Sequence, residues 1–288
     1  MGYKIVTDSC AGLPDYMYDG LGVEVIGMEF IEGDKVYTGY VKGRDNSLQE
    51  CYALMRQGKV FRTTCINQAA YYDFFEKQLA EGDILYLGFS SGLSASFSNS
   101  MFAIDELREK YSERKIFAVD TLGGCMGQGL LVYHAAMLKN QGKSIEEVRD
   151  WAEQNKRRLC HWFTVEDLKY LYRGGRVSRI NFILGKIAQI KPIIRADDEG
   201  RLAPASKVIG RRKSISALAK KVHELIENPE EQTVFVAHGD CLEDAEELAA
   251  QVTKNIKVKS VVINQIDPVM GCHSGPGALA VFFLGRHR

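Results

Sequence analysis

The 288-residue chain has no net charge: 37 lysines and arginines balance 37 aspartates and glutamates. Without a global field, the bulk composition does not favour nucleic acid or an anionic membrane, so electrostatic recognition has to be local. Long apolar runs are also missing. The longest, at 278–284, falls far short of the roughly 20 residues that cross a bilayer. The opening residues, MGYKIVTDSC, carry no secretory apolar region, and Val6 breaks the myristoylation pattern. These absences lead us to expect a soluble, cytoplasmic protein with at most transient membrane contact.

Short cysteine spacings are absent too. The seven cysteines, at 10, 51, 65, 125, 160, 241 and 272, form no C-x-x-C pair, and an odd, scattered set of this kind reads as reduced thiols. No histidine or carboxylate cluster stands at metal-ligand spacing, so no metal is expected. Nucleotide motifs fail as well. GKS (142–144) would end a P-loop, but Met137 occupies the position of its first glycine. The glycines of GGCMGQG (123–129) have the wrong spacing for a dinucleotide fingerprint.

What remains is an ordinary globular composition, 45% hydrophobic and 26% charged, arranged in a recognisable rhythm. Short apolar runs at 3–9, 83–91 and 115–121 read as strands. Between them, 67–82 and 94–111 carry apolar residues at helical spacing, and Ser144 with Glu147 opens a further helix through a capping box. This alternation predicts an N-terminal, mostly parallel sheet with helices on both faces. Residues 191–210 read as two strands joined around Asp-Glu-Gly, and 211–228 as an amphipathic helix stopped by Pro229. Strand, helix and strand follow. A C-terminal α/β domain with a mixed or antiparallel sheet is therefore expected, with the boundary near residue 160.

Polar groups gather at the expected carboxyl edge of the first sheet, where open α/β sheets bind ligands. GFSSGLSAS (88–96) is the densest, with Ser90, Ser91, Ser94 and Ser96 in seven residues. One hydroxyl suffices to cap the next helix, which leaves another to face a ligand. GFSSG also fits a nucleophile elbow with Ser90, and Asp240 or Asp267 and then His273 follow in hydrolase order. No HGGG-like oxyanion segment precedes it. In FRTTC (61–65), Thr63 and Thr64 sit just outside a helix that Asn67 is expected to cap, a place that suits an anion. His134 reads as packed or surface-exposed and His161 as structural, neither as a ligand. In GCHSGPGALAVFF (271–283), glycines and a proline place His273 on a tight turn leading into an apolar strand. GRRK (210–213) puts three cations at a helix start, against the dipole, which points to an acidic or phosphorylated partner.

Taken together, IVTDSCAGLP, FRTTC, SSGLSAS, VDTLGGCMGQG, LYRGGRVS, LGKIAQIKPII, GRLAPASKV and GCHSGPGALAV resemble, in order, the DegV family of bacterial lipid-binding proteins. The resemblance implies two α/β domains, 1–160 and 161–288, enclosing one long-chain fatty acid in an apolar tunnel between them. It implies that Thr63, Ser91 and His273 hold the carboxyl, with Ser94 and Thr64 in support. It further implies a carrier that uses no cofactor and presents the acid to a separate fatty acid kinase. Arg176, Lys207 and Arg211 are the expected kinase-facing cations.

Overall fold

The computed structural model describes residues 2–39, 48–176 and 189–288. The first half runs β1 (Tyr3–Asp8), α1 (Asp15–Leu21), β2 (Val23–Ile26), β3 (Glu29–Glu32), β4 (Lys35–Thr38), α2 (Leu48–Arg56), β5 (Phe61–Thr63) and α3 (Gln68–Leu79). It continues with β6 (Asp83–Gly88), α4 (Ser96–Lys110), β7 (Ile116–Asp120), α5 (Met126–Asn140) and α6 (Ile145–Asn155). Strands β2-β1-β6-β7 form a parallel sheet. Alternate residues of its strands face opposite layers, as the two-residue period requires. Val6, Ile84 and Tyr86 pack with α3 and α4, whereas Ile5, Leu85 and Leu87 pack with α1, α5 and α6. The expected helices on both faces are present.

The sequence reading did not foresee a small antiparallel sheet, β4-β3-β5. Its three-residue strand β5 is the FRT of FRTTC, too short for a period-2 signal, and it forms because the β3–β4 hairpin offers an edge to pair with.

The second half contains β8 (Leu159–Thr164), α7 (Lys169–Arg173), β9 (Ile190–Ala196), β10 (Leu202–Ile209), α8 (Arg211–Leu225), β11 (Thr233–His238), α9 (Leu242–Asn255), β12 (Ser260–Gln265), α10 (Pro268–Ser274) and β13 (Leu279–Leu284). Six strands form one mixed sheet, in the order β10-β9-β8-β13-β11-β12. The β9–β10 hairpin and the β11-α9-β12 unit stand where the sequence placed them. Residue 160 lies inside β8. The ends of two quoted motifs, 177–178 and 184–188, lie outside the described residues.

Helix α5 holds the two large sheets together. Met126 through Val132 are all buried, and the helix packs against β1 and β6 on one side and β8, β11 and β13 on the other. A helix whose first two turns are buried all round belongs in an interior, and this one fills the space between layers.

The carboxyl end of β1 is fixed by a buried acid. Asp8 accepts hydrogen bonds from the Cys10 N–H (3.0 Å), the Phe89 N–H (2.9 Å) and the Tyr86 hydroxyl (2.8 Å), and Tyr86 also bonds Tyr71 (2.8 Å). Burial raises the Asp8 carboxyl, and these donors pull it back. Asp8→Ala leaves two buried backbone donors without an acceptor, at about 1–3 kcal/mol each, and turns the Tyr86 hydroxyl to Tyr71 alone. Urea unfolding should show a loss of at least about 2 kcal/mol. A loss below about 1 kcal/mol would mean that water takes over the acceptor role.

Candidate functional site

A cavity of about 390 Å³ takes its wall from both halves of the chain. Met28, Phe89, Phe163, Leu171, Met270 and Phe282 make much of it apolar, while Thr63, Thr64, Ser94, Arg176 and His273 bring polar groups to it. This is the composition of a small-molecule site, an apolar enclosure with a few placed polar atoms.

His273 enters the cavity from α10, not from a tight turn. Asp267 caps that helix by accepting from the Val269 N–H (2.8 Å), and Pro268 occupies the first turn, where its missing N–H is harmless. The residues CHS are therefore helical, and the turn comes later, at Gly275 and Gly277, both with φ +79°. A run too short to show a 3.6-residue period hides such a helix from sequence reading. The Tyr52 hydroxyl donates to the Ile266 carbonyl (2.9 Å), anchoring α2 against the chain that leads into α10.

The His273 Nε2 lies 2.9 Å from the Thr63 Oγ1, and its Nδ1 is buried without a partner. Burial first, and then the Arg176 guanidinium, pull the imidazole down to about 4, so it is neutral near pH 7. One nitrogen then carries the proton. An orphaned N–H is rarer and costlier than an unused lone pair, which assigns the proton to Nε2 and leaves Nδ1 bare. His273 thus donates to Thr63, and the Thr63 hydroxyl hydrogen is free to turn toward a ligand. Nδ1 sits against Gly174, where an added Cβ would lie only 2.4 Å away.

Of the serines, Ser94 lines the cavity, accepting from the Ser96 N–H (3.2 Å) and pairing with the Ser96 hydroxyl (3.1 Å). Ser91 does not line it. Its side chain is exposed, and its N–H donates to Asp120 (3.3 Å). The neighbouring Ser90 turns inward, and residues adjacent on this turn point apart. The Ser90 hydroxyl donates to the Gly200 carbonyl (2.9 Å) and accepts from the Gly92 N–H (3.1 Å), while His273 engages Thr63. The Ser90–His273 pair that a hydrolase needs is not formed. Asp240 instead pairs with Arg56, and Asp267 caps α10.

Thr64 lines the cavity, and its hydroxyl reaches Glu29 (3.4 Å). The expected cap at Asn67 is present, accepting from the Ala70 N–H (2.9 Å). The three expected kinase-facing cations stand in different local surroundings. Arg176 lines both the cavity and an adjoining groove of about 760 Å³, and it donates to the Gly174 carbonyl (2.6 Å). Lys207 is exposed on β10, the edge strand of the mixed sheet. Arg211 is held by Asp244 (2.8 Å) and is only part-exposed, because α9 supplies the acid that a cationic helix start needs. His161, read from sequence as structural, lines the cavity. The alternation of LCHWFT was the available signal, since it puts His161 on the face of Leu159 and Phe163.

The fold and cavity define a class: an α/β protein whose two large sheets and one small one accompany a mostly apolar cavity with a few polar groups in its wall. The family model described as an uncharacterised DegV family matches residues 3–286, so the chain belongs to the DegV family. It is 43% identical over 286 residues to a DegV domain-containing protein of Clostridium perfringens, covering 98% of this chain and 97% of the other. A solved DegV-family protein from Thermus thermophilus, described as binding fatty acid, superposes with a TM-score of 0.88 at 23% identity, covering 99% of this chain and all of that one. A fatty acid binding DegV-family protein from Streptococcus agalactiae has a TM-score of 0.84 at 25% identity, with both chains covered in full.

Two outcomes follow from the His273 geometry. Between pH 6.5 and about 4 the unfolded chain binds a proton at this position that the folded chain refuses, so stability falls as pH drops through that window. His134, also held near 4, adds to the same trend. Thermal unfolding against pH should show the decline, and His273→Gln should make it shallower. Separately, Gly174→Ala should push the imidazole off Thr63, visible as a changed His273 ring resonance in NMR; an unmoved resonance would show that α7 yields instead.

Proposed function

We propose that this protein carries one long-chain fatty acid, tail in the cavity and carboxyl at Thr63, Ser94 and His273, and presents that carboxyl to a separate fatty acid kinase. The observation that carries the reading is the pairing of a mostly apolar cavity with the neutral His273–Thr63 donor pair in its wall. Ser94 takes the place that the resemblance gives to Ser91. Residues 1–160 and 161–288 act as two lobes around the ligand. The chain serves as a cytoplasmic carrier with no cofactor of its own, and the phosphoryl chemistry belongs to the kinase.

Size supports a long acyl chain. The cavity, about 390 Å³, falls in the size range of small-molecule sites, and a saturated acid with roughly 15 methylenes is the ligand considered. Such a tail gains on the order of 12 kcal/mol gross from leaving water, at about 0.8 kcal/mol per methylene. Desolvating a carboxylate costs several kcal/mol unless donors meet it. The tail therefore drives binding, and the hydroxyls and imidazole set its direction. Arg176, between cavity and groove, puts positive charge where the developing acyl phosphate gathers negative charge.

Solvent extraction of the purified protein followed by mass spectrometry should yield one equivalent of fatty acid; absence of lipid, together with failure to take up palmitic acid, would overturn the reading. With a fatty acid kinase and ATP, His273→Ala should lower acyl phosphate yield about tenfold, the worth of one hydrogen bond, with a smaller effect on retained lipid. Ser94→Ala should lower it and Ser91→Ala should not.

A further inference from the structure

The wall of the cavity has a far end, and strand register shows where it is. Successive side chains of a strand point to opposite faces. On the face toward the cavity, the chain entering β13 presents Ala278, Ala280, Phe282 and Leu284, and β8 presents Phe163, His161 and Leu159. Ala280 stands opposite Phe163, Phe282 opposite His161, and Leu284 opposite Leu159. The first two pairs line the cavity, whereas Leu284 and Leu159 belong to the core. Ala278 follows the turn that leaves α10 and so marks the His273 end. Phe282 lies about 13 Å beyond it, at roughly 3.3 Å per residue. Small side chains thus give way to rings as the cavity runs from its polar groups, and the Phe282–His161 pair is the last that it reaches along these two strands.

That pair has a firm backing. Its two rings meet edge-on at 5.2 Å. A Cβ on Gly123 would lie 2.8 Å from the His161 ring carbon Cε1, and one on Gly127 would lie 2.2 Å from it. The imidazole is therefore seated on backbone, and backbone packed in an interior does not swing aside as a loose side chain does. Burial and the nearby Arg288 guanidinium hold His161 well below the usual histidine range, so the ring is uncharged and abuts hydrocarbon without stranding a buried cation. We propose that the Phe282–His161 pair is the stop against which the tail of the acid ends, and that it makes this carrier selective for acyl length. The inference rests on the fatty-acid reading and adds what chooses among the acids. The glycines of GGCMGQG, which serve no nucleotide, are the support of that stop.

The test is displacement of a fluorescent fatty acid from the delipidated full chain by the even-numbered straight-chain acids from lauric to behenic. Affinity should rise about fourfold with each added methylene until the tail meets the stop, and then fall. In His161→Ala the neighbours relax only partly into the space of the lost ring, so the best-bound acid should lengthen by roughly two carbons. Phe282→Leu, a milder cut in the same pair, should lengthen it by less. An affinity that climbs through to behenic acid in the unmodified protein, an optimum unmoved in both variants, or a loss equal at every length would overturn the stop and leave the carrier reading intact. No binding of any of these acids by the unmodified protein would overturn both.

Discussion

One hydrogen bond between residues 210 positions apart, from the His273 Nε2 to the Thr63 Oγ1, joins the last helix of the chain to the small antiparallel sheet near its start. The chemistry of the polar end depends on it. Without the Thr63 oxygen, a buried neutral imidazole has no partner on either nitrogen. Without the imidazole, Thr63 is a hydroxyl free to rotate on a short edge strand. Together they hold one orientable hydrogen over an apolar chamber.

Holding that bond requires support from elements with no ligand role. Asp267 and Pro268 begin α10, Tyr52 secures its approach, and Gly174 leaves the space that the imidazole occupies. The Tyr170 hydroxyl reaches across to the Met55 carbonyl (3.1 Å), tying α7 to α2. The carboxyl edge of the parallel sheet has its own brace in Asp8, whose acceptor oxygens set where the loops after β1 and β6 turn. A polar end built this way is rigid before any ligand arrives, so little ordering entropy is lost on binding.

Much of this was legible in the sequence, and the failures have physical reasons. Long periodic segments, such as β6 to α4 and the β9–β10 hairpin, declared themselves because each buries a face with its own repeat. Thr63, Ser91 and His273, with Ser94 and Thr64 in support, stood out as polar groups at strand ends and in glycine-rich turns. The sequence could not separate Ser91 from Ser94, because the direction of a loop side chain is set by a tertiary contact, here the Ser90 hydroxyl seated on the Gly200 carbonyl. Nor could it show that Arg211 is neutralised, since Asp244 lies 33 residues away on another helix. Strand β5 and helix α10 were too short to signal their period.

Helix α5 lies inside a single apolar cluster that includes Leu85 and Val119 from one sheet and Phe235 and Phe282 from the other. Neither sheet has a private interior on that side. Opening either one strips the same helix of its packing, so the lobes are bound to melt together as one cooperative unit. A molecule lodged in the chamber then raises the melting point of the whole chain, and a spectroscopic probe placed anywhere in it, however remote from the carboxyl end, registers occupancy.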